Sequence, residues 1–75
     1  MHRLAVASTV IRSVGYEGEP AILEVEFHDG DIYRYFMVPR AIHDGLMGAP
    51  SIGRFFQANI RDRFPSERIR SPIKR

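Results

Sequence analysis

The residues of this chain best suited to chemistry with an anion are Ser51-Ile52-Gly53-Arg54. A serine can cap a helix, a glycine two residues on lets a ligand approach the backbone, and the unpaired N–H groups of a first helical turn attract phosphate. Arg54 would stand beside those groups, with Arg61 two turns further on and Arg63, Arg68 and Arg70 beyond it. The guanidinium is the cation whose planar fork matches phosphate and stacks on bases. The plain structural use of the same residues is capping, with Gly53 making room for a neighbouring side chain. Tyr33 and Tyr35 form the second set. On an open sheet face, aromatics two residues apart can stack unpaired bases, whereas on a core face they are packing.

Other chemistries fail on residue type and spacing. The chain has no cysteine, and His2, His28 and His43 have no ligand-like spacing, so no metal site is expected and the histidines read as surface residues. The serines lie in no motif that pairs a hydroxyl with a base. Glu24 and Glu26 are a carboxylate pair, but strand alternation puts both on the solvent side. A chain of 75 residues has one thin core and little volume for a water-excluding active site. The expectation is a single domain that is not an enzyme and carries no cofactor.

Charge is distributed unevenly. Residues 1–53 hold four arginines against seven acids, a net charge of −3, while residues 54–75 hold seven basic residues against two acids, a net charge of +5. A basic segment built almost wholly of arginine is the compositional sign of a nucleic-acid partner. No apolar run approaches the roughly 18 residues of a membrane span, and residues 1–7 are too short for a signal peptide. No membrane partner is expected, and the cytoplasm is the default location.

The elements that must position these residues follow from periodicity. Residues 10–16 (VIRSVGY) alternate like a half-buried strand, and 17–20 (EGEP) read as a loop. Residues 21–27 (AILEVEF) and 32–38 (IYRYFMV) form a hairpin about His28-Asp29-Gly30-Asp31. Two registers compete. A two-residue type I′ turn at Asp29-Gly30 puts Arg34 opposite Val25, on the core side. A type I turn over 27–30 with Gly30 as the left-handed bulge residue puts Glu24 opposite Arg34, Val25 opposite Tyr33 and Leu23 opposite Tyr35. The second separates charges from apolar groups, so face composition favours it and places both tyrosines on the core side.

Pro39 opens a helix over 40–49, with Ile42, Leu46 and Ala49 at helical spacing, and Gly45 and Gly48 keep it short. Ser51 caps a second helix running to about Phe64, with Pro65 as its stop. Ile52, Phe56, Asn59, Ile60 and Phe64 share one side of it, and Arg54, Gln57 and Arg61 share the other, while Arg63 projects toward the apolar side. Residues 66–75 lack periodicity and read as a basic, flexible tail. Strands in a run followed by helices give an α+β fold, a three-stranded antiparallel meander followed by two helices packed on one face.

Several of these pieces occur together in one known family. Ser8-Thr9, Gly15-Tyr16, the run LEVEFHDGDIYRYFMVP, the run Ala49-Pro50-Ser51-Ile52-Gly53-Arg54-Phe55-Phe56 and the run IRDRFP resemble the KTSC domain. That domain occurs at the C-terminus of some lysyl-tRNA synthetases and as a small stand-alone bacterial protein. The resemblance covers 8–65 and includes Tyr33-Arg34-Tyr35, the following Val38-Pro39, and the small-Ser-x-Gly-basic-aromatic element at 49–55. Gln57 stands where the family pattern carries Asn. The resemblance implies a domain without established activity and, through its attachment to a tRNA-charging enzyme, RNA as a partner. The reading that follows is an RNA-binding module using Arg54, Arg61, Arg63 and the basic segment 66–75. The alternative is a protein-interaction module that offers a sheet edge or a helix groove.

Overall fold

The hairpin turn sets the register of the sheet. In the computed structural model, which describes residues 2–70, Gly30 takes a φ of 101°, a left-handed conformation that glycine adopts without steric cost. The Gly30 N–H donates to the Phe27 carbonyl at 3.0 Å, and the Phe27 N–H donates to the Asp31 carbonyl at 2.9 Å. Glu24 therefore opposes Arg34, Val25 opposes Tyr33 and Leu23 opposes Tyr35, the bulged register that face composition predicts.

Five strands build one antiparallel sheet in the order of the sequence: β1 (Arg3–Ala5), β2 (Ile11–Glu17), β3 (Ile22–Phe27), β4 (Ile32–Phe36) and β5 (Ser66–Arg70). Helices α1 (Arg40–Met47) and α2 (Ile52–Asn59) lie between β4 and β5 in sequence. The fold is α+β as expected, but the three-stranded expectation is corrected at both edges. Residues 3–5 pair with β2, and residues 66–70, expected as part of a flexible tail, pair with β4. Residues 71–75 of that expected tail lie outside the described residues. The free edge of β4 recruits a segment of low intrinsic strand propensity, because the ladder satisfies backbone groups whatever the side chains are.

Both helices cover one sheet face. Val14, Leu23, Val25 and Tyr35 from the sheet meet Leu46 of α1 and Phe56 of α2, with Val38 and Ile60 also buried. The Phe56 ring packs edge-on against Phe27 at 5.4 Å and Tyr35 at 5.5 Å. Gly45 does more than shorten α1. A Cβ there would lie 2.7 Å from the Phe55 ring, so its missing side chain lets the two helices close on each other. The second helix stops at Asn59, earlier than the expected Phe64. Ile60 and Arg61 both donate to the Phe56 carbonyl, and Asp62 takes a φ of 63°. The chain has to reverse there to return as β5.

Among the described residues the other face carries no helix, and it is organised by charge. One cross-strand row runs Arg3, Gly15, Glu24, Arg34, Glu67 through all five strands. Gly15 has no side chain, so Arg3 on β1 reaches over β2 to Glu24 on β3, and the two form an ion pair. Arg34 Nε donates to the second Glu24 oxygen at 2.9 Å. Glu24 is only 5% exposed, although alternation alone placed it on the solvent side. Two guanidinium groups, rather than helices, bury it.

Candidate functional site

The Ser51-Ile52-Gly53-Arg54 element folds as its residue types dictate. Ser51 is the N-cap of α2, and its Oγ accepts the Arg54 N–H at 3.3 Å. The amides of Ile52 and Gly53 have no partner within the helix. No acidic residue stands in the first turn, so the partial positive charge of that helix end is left uncompensated.

This helix end forms one side of an open groove of about 930 Å³, and residues 7–10 form the other. Ser51, Gly53, Arg54 and Gln57 line it from α2, facing Ser8, Thr9 and Val10. Gly53 faces residues 8–10 at ordinary contact distance. A Cβ at that position would lie 3.5 Å from Val10 Cγ2 and 4.0 Å from Ser8 Oγ. Ser8 in turn organises its own side, because its Oγ accepts the Val10 and Ile11 N–H groups at 3.1 and 3.2 Å. Among the described residues the lining holds one cation, Arg54, and no carboxylate. Apolar atoms, among them those of Ala7, Val10, Pro50, Ile52 and Ala58, make up most of its surface, and its single cation beside the open helix end suits an anionic, acceptor-rich group.

The other candidate residues are distributed differently. Arg61 is exposed, and its Nη1 donates to Gln57 Oε1 at 3.2 Å, which ties it to the rim of the groove through α2. Arg63 and Arg68 are exposed and do not line it. Arg68 sits opposite Tyr33 on β5, and Arg70 ends that strand, so both belong to a sheet edge and not to a loose tail. Tyr35 is corrected as an aromatic contact for bases: it is 5% exposed and lies in the core. Burial first, then the Tyr33 phenol and Asp62, push its hydroxyl up to about 12 against the pull of Arg61. Tyr33 is half-buried on the same face, stacked on Tyr35 at 6.3 Å and edge-on to Phe27 at 6.0 Å. Both rings are engaged by the core.

Asn59 sits at the end of α2, where its Nδ2 donates to the Phe55 carbonyl at 3.2 Å. Two histidines expected at the surface make specific contacts. His43 stacks on Tyr16 at 4.7 Å, and the Tyr16 hydroxyl donates to the Val38 carbonyl at 2.6 Å. The His28 ring meets the Ser8 carbonyl. Among the described residues no three His, Cys, Asp or Glu side chains gather where a metal ion could bind, and no helix is long and apolar enough to cross a membrane.

Sequence reasoning assigned Ser51, Gly53, Arg54 and Arg61 but gave no role in the site to Ser8, Thr9, Val10 or Gln57. Ser8 and Thr9 were visible only as part of the family resemblance, since a segment more than 40 residues from Ser51 along the chain reaches it only through the fold. The convergence matters because the two quoted motif pieces, Ser8-Thr9 and Ser51-Ile52-Gly53-Arg54, turn out to face each other.

Known proteins share this arrangement of sequence and fold. The KTSC domain profile matches residues 7–64. An uncharacterized protein of Stutzerimonas stutzeri is 48% identical over 56 residues, covering 75% of this chain and 79% of that protein. A lysine–tRNA ligase of Nostoc punctiforme is 36% identical over 61 residues, which are 81% of this chain but only 11% of the ligase. The crystal structure of a KTSC domain protein from Yersinia pestis superposes with a TM-score of 0.87 at 37% identity, covering 92% of this chain and 97% of that one. With the profile spanning most of the chain and a solved member sharing its architecture, this protein belongs to the KTSC domain family.

Proposed function

We propose that the chain is a non-enzymatic RNA-binding module whose groove between residues 7–10 and the N-terminus of α2 receives the phosphate backbone of an unpaired strand. The observation that carries this reading is the convergence of Ser8, Thr9, Ser51, Gly53 and Arg54 on one groove with a positive helix end that no first-turn acid compensates and, among the described residues, no carboxylate in its lining. Support of a different kind comes from the lysine–tRNA ligase of Nostoc punctiforme, which carries a similar stretch as about a tenth of its length. An enzyme that handles tRNA is a setting in which an appended phosphate-binding domain adds affinity by tethering. Arg54 is the cation of the groove, Arg61 stands at its rim, and Arg63 and Arg68 contribute only long-range attraction.

Binding to phosphate releases counterions, so affinity for single-stranded RNA is expected to fall with salt, with a slope of about 0.7 per contact in a log-log plot. Arg54→Ala is expected to lower that slope by about 0.7 and weaken binding without loss of thermal stability, because Arg54 is exposed. Fluorescence anisotropy with a labelled oligonucleotide at several salt concentrations measures both. The absence of RNA binding at low salt, together with salt-insensitive capture of a peptide, would favour a protein partner instead.

A further inference from the structure

Residues 7–10 form a wall of the groove without belonging to a strand or helix, so individual hydrogen bonds at the end of the β2–β3 pairing and beyond it must hold them. Nε2 of His28 lies 2.7 Å from the Ser8 carbonyl oxygen, and the His28 backbone N–H donates to the Val10 carbonyl at 3.0 Å. A carbonyl only accepts, so Nε2 is the donor and carries the proton. One residue of the β3–β4 turn thus grips the wall at two points flanking Thr9. Because Ser8 Oγ accepts from the N–H groups of both Val10 and Ile11, the wall is a tied turn, and holding the Ser8 carbonyl restrains all of it. Arg12 Nη2 reaches the His28 carbonyl at 3.5 Å, which adds a tether from β2.

His28 is exposed and does not line the groove, so it meets the wall from outside. On its inner side the same wall faces Gly53 of α2, within ordinary contact distance of where a Cβ would stand. A small displacement of Ser8 and Val10 therefore changes the spacing between the wall and α2 at Gly53.

We infer that His28 is the positioning residue of the groove: its ring and backbone fix the Ser8–Val10 wall against the N-terminus of α2 and so set how well the groove fits its ligand. This rests on reading the groove as the RNA-phosphate site, but the restraint on the wall is a property of the free protein and is measured without ligand.

The test uses the full chain as wild type, His28→Ala and His28→Gln. Amide hydrogen exchange at Val10 and Ile11 is followed by NMR, and affinity for a single-stranded RNA oligonucleotide is measured alongside. In His28→Ala both amides are expected to exchange about five- to tenfold faster, the scale of one lost hydrogen bond, with RNA affinity reduced by a similar factor. Exchange at Val25, in the core, is expected to be unchanged. His28→Gln keeps an N–H donor and is expected to recover most of both effects. Unchanged exchange at Val10 and Ile11 in His28→Ala would overturn the inference, as would faster exchange with unchanged affinity. If wild type binds no RNA while exchange still responds to alanine and recovers with glutamine, the restraint on the wall is upheld and the RNA reading is the one that fails.

Discussion

Tyr35→Ala is expected to lower the free energy of unfolding by about 3 kcal/mol or more, the scale of an aromatic-to-alanine truncation in a core. Tyr35 is 5% exposed and stands where β4 meets α2, its ring edge-on to Phe56 and stacked beside Tyr33. A small domain cannot spread the resulting cavity over many layers, so the truncation removes contacts from sheet and helix together. Tyr35→Phe keeps the ring and is expected to stay within about 1 kcal/mol of wild type. Urea denaturation of the three proteins measures the difference. A near-neutral Tyr35→Ala would mean that the tyrosine face of β4 is not the core face.

The second large effect lies on the opposite side of the sheet. Glu24→Ala is expected to cost about 2 kcal/mol, less than the ~3–5 kcal/mol of a fully buried pair losing one partner. The two guanidinium groups left behind, Arg3 and Arg34, are 26% and 40% exposed, so water takes back part of their solvation. The pH dependence has a definite sign. Burial pushes the Glu24 carboxyl up, but the hydrogen bonds from Arg34 and Arg3 and their charges outweigh it, and its pKa lies below the ordinary 4.5. A carboxyl held low in the folded state contributes stability that is present above its unfolded value and is lost as pH falls through the folded value. Between neutral pH and acid, the urea midpoint of Glu24→Gln is therefore expected to fall less than that of wild type. Parallel curves for the two proteins would show that Glu24 carries no such linkage.

The central hairpin was legible because its two candidate registers give opposite results on burial: only the bulged one keeps Arg34 off the face that holds Leu23 and Val25. The edges were not legible. Three residues, Arg3-Leu4-Ala5, give no period to read, and Leu4 remains 57% exposed even when paired. Ser66 to Arg70 has a single apolar residue among charges, so no local signal marks it as a strand. Its structure comes from β4, whose edge would otherwise present unpaired backbone groups. Glu24 was misplaced for a related reason. Alternation assigns a side chain to a face, but burial on an uncovered face depends on Arg3 reaching over Gly15, and that contact is set by a pairing absent from any sequence pattern.

The candidate site divides in the same way. Capping by Ser51 and the exposed direction of Arg54 are local properties of one helix turn and were read directly. The wall at residues 7–10, the grip of His28 on it and the assignment of Arg68 to an edge strand all depend on contacts between distant segments. The basic stretch 54–75 combines two physically different things: an Arg54–Gln57–Arg61 strip on and just beyond α2, which borders the groove, and a cation on β5, Arg68, which does not.

The most direct measurement is an NMR titration of the uniformly 15N-labelled full chain with a short single-stranded RNA, reading which backbone amides shift. Saturable shifts concentrated at Ser8, Thr9 and Val10 and at Ile52, Gly53 and Arg54, lost in Arg54→Ala, are the expected result. Shifts confined to Arg68 and its neighbours on β5, or no saturable shifts at low salt, would contradict the assignment of the groove as the RNA site.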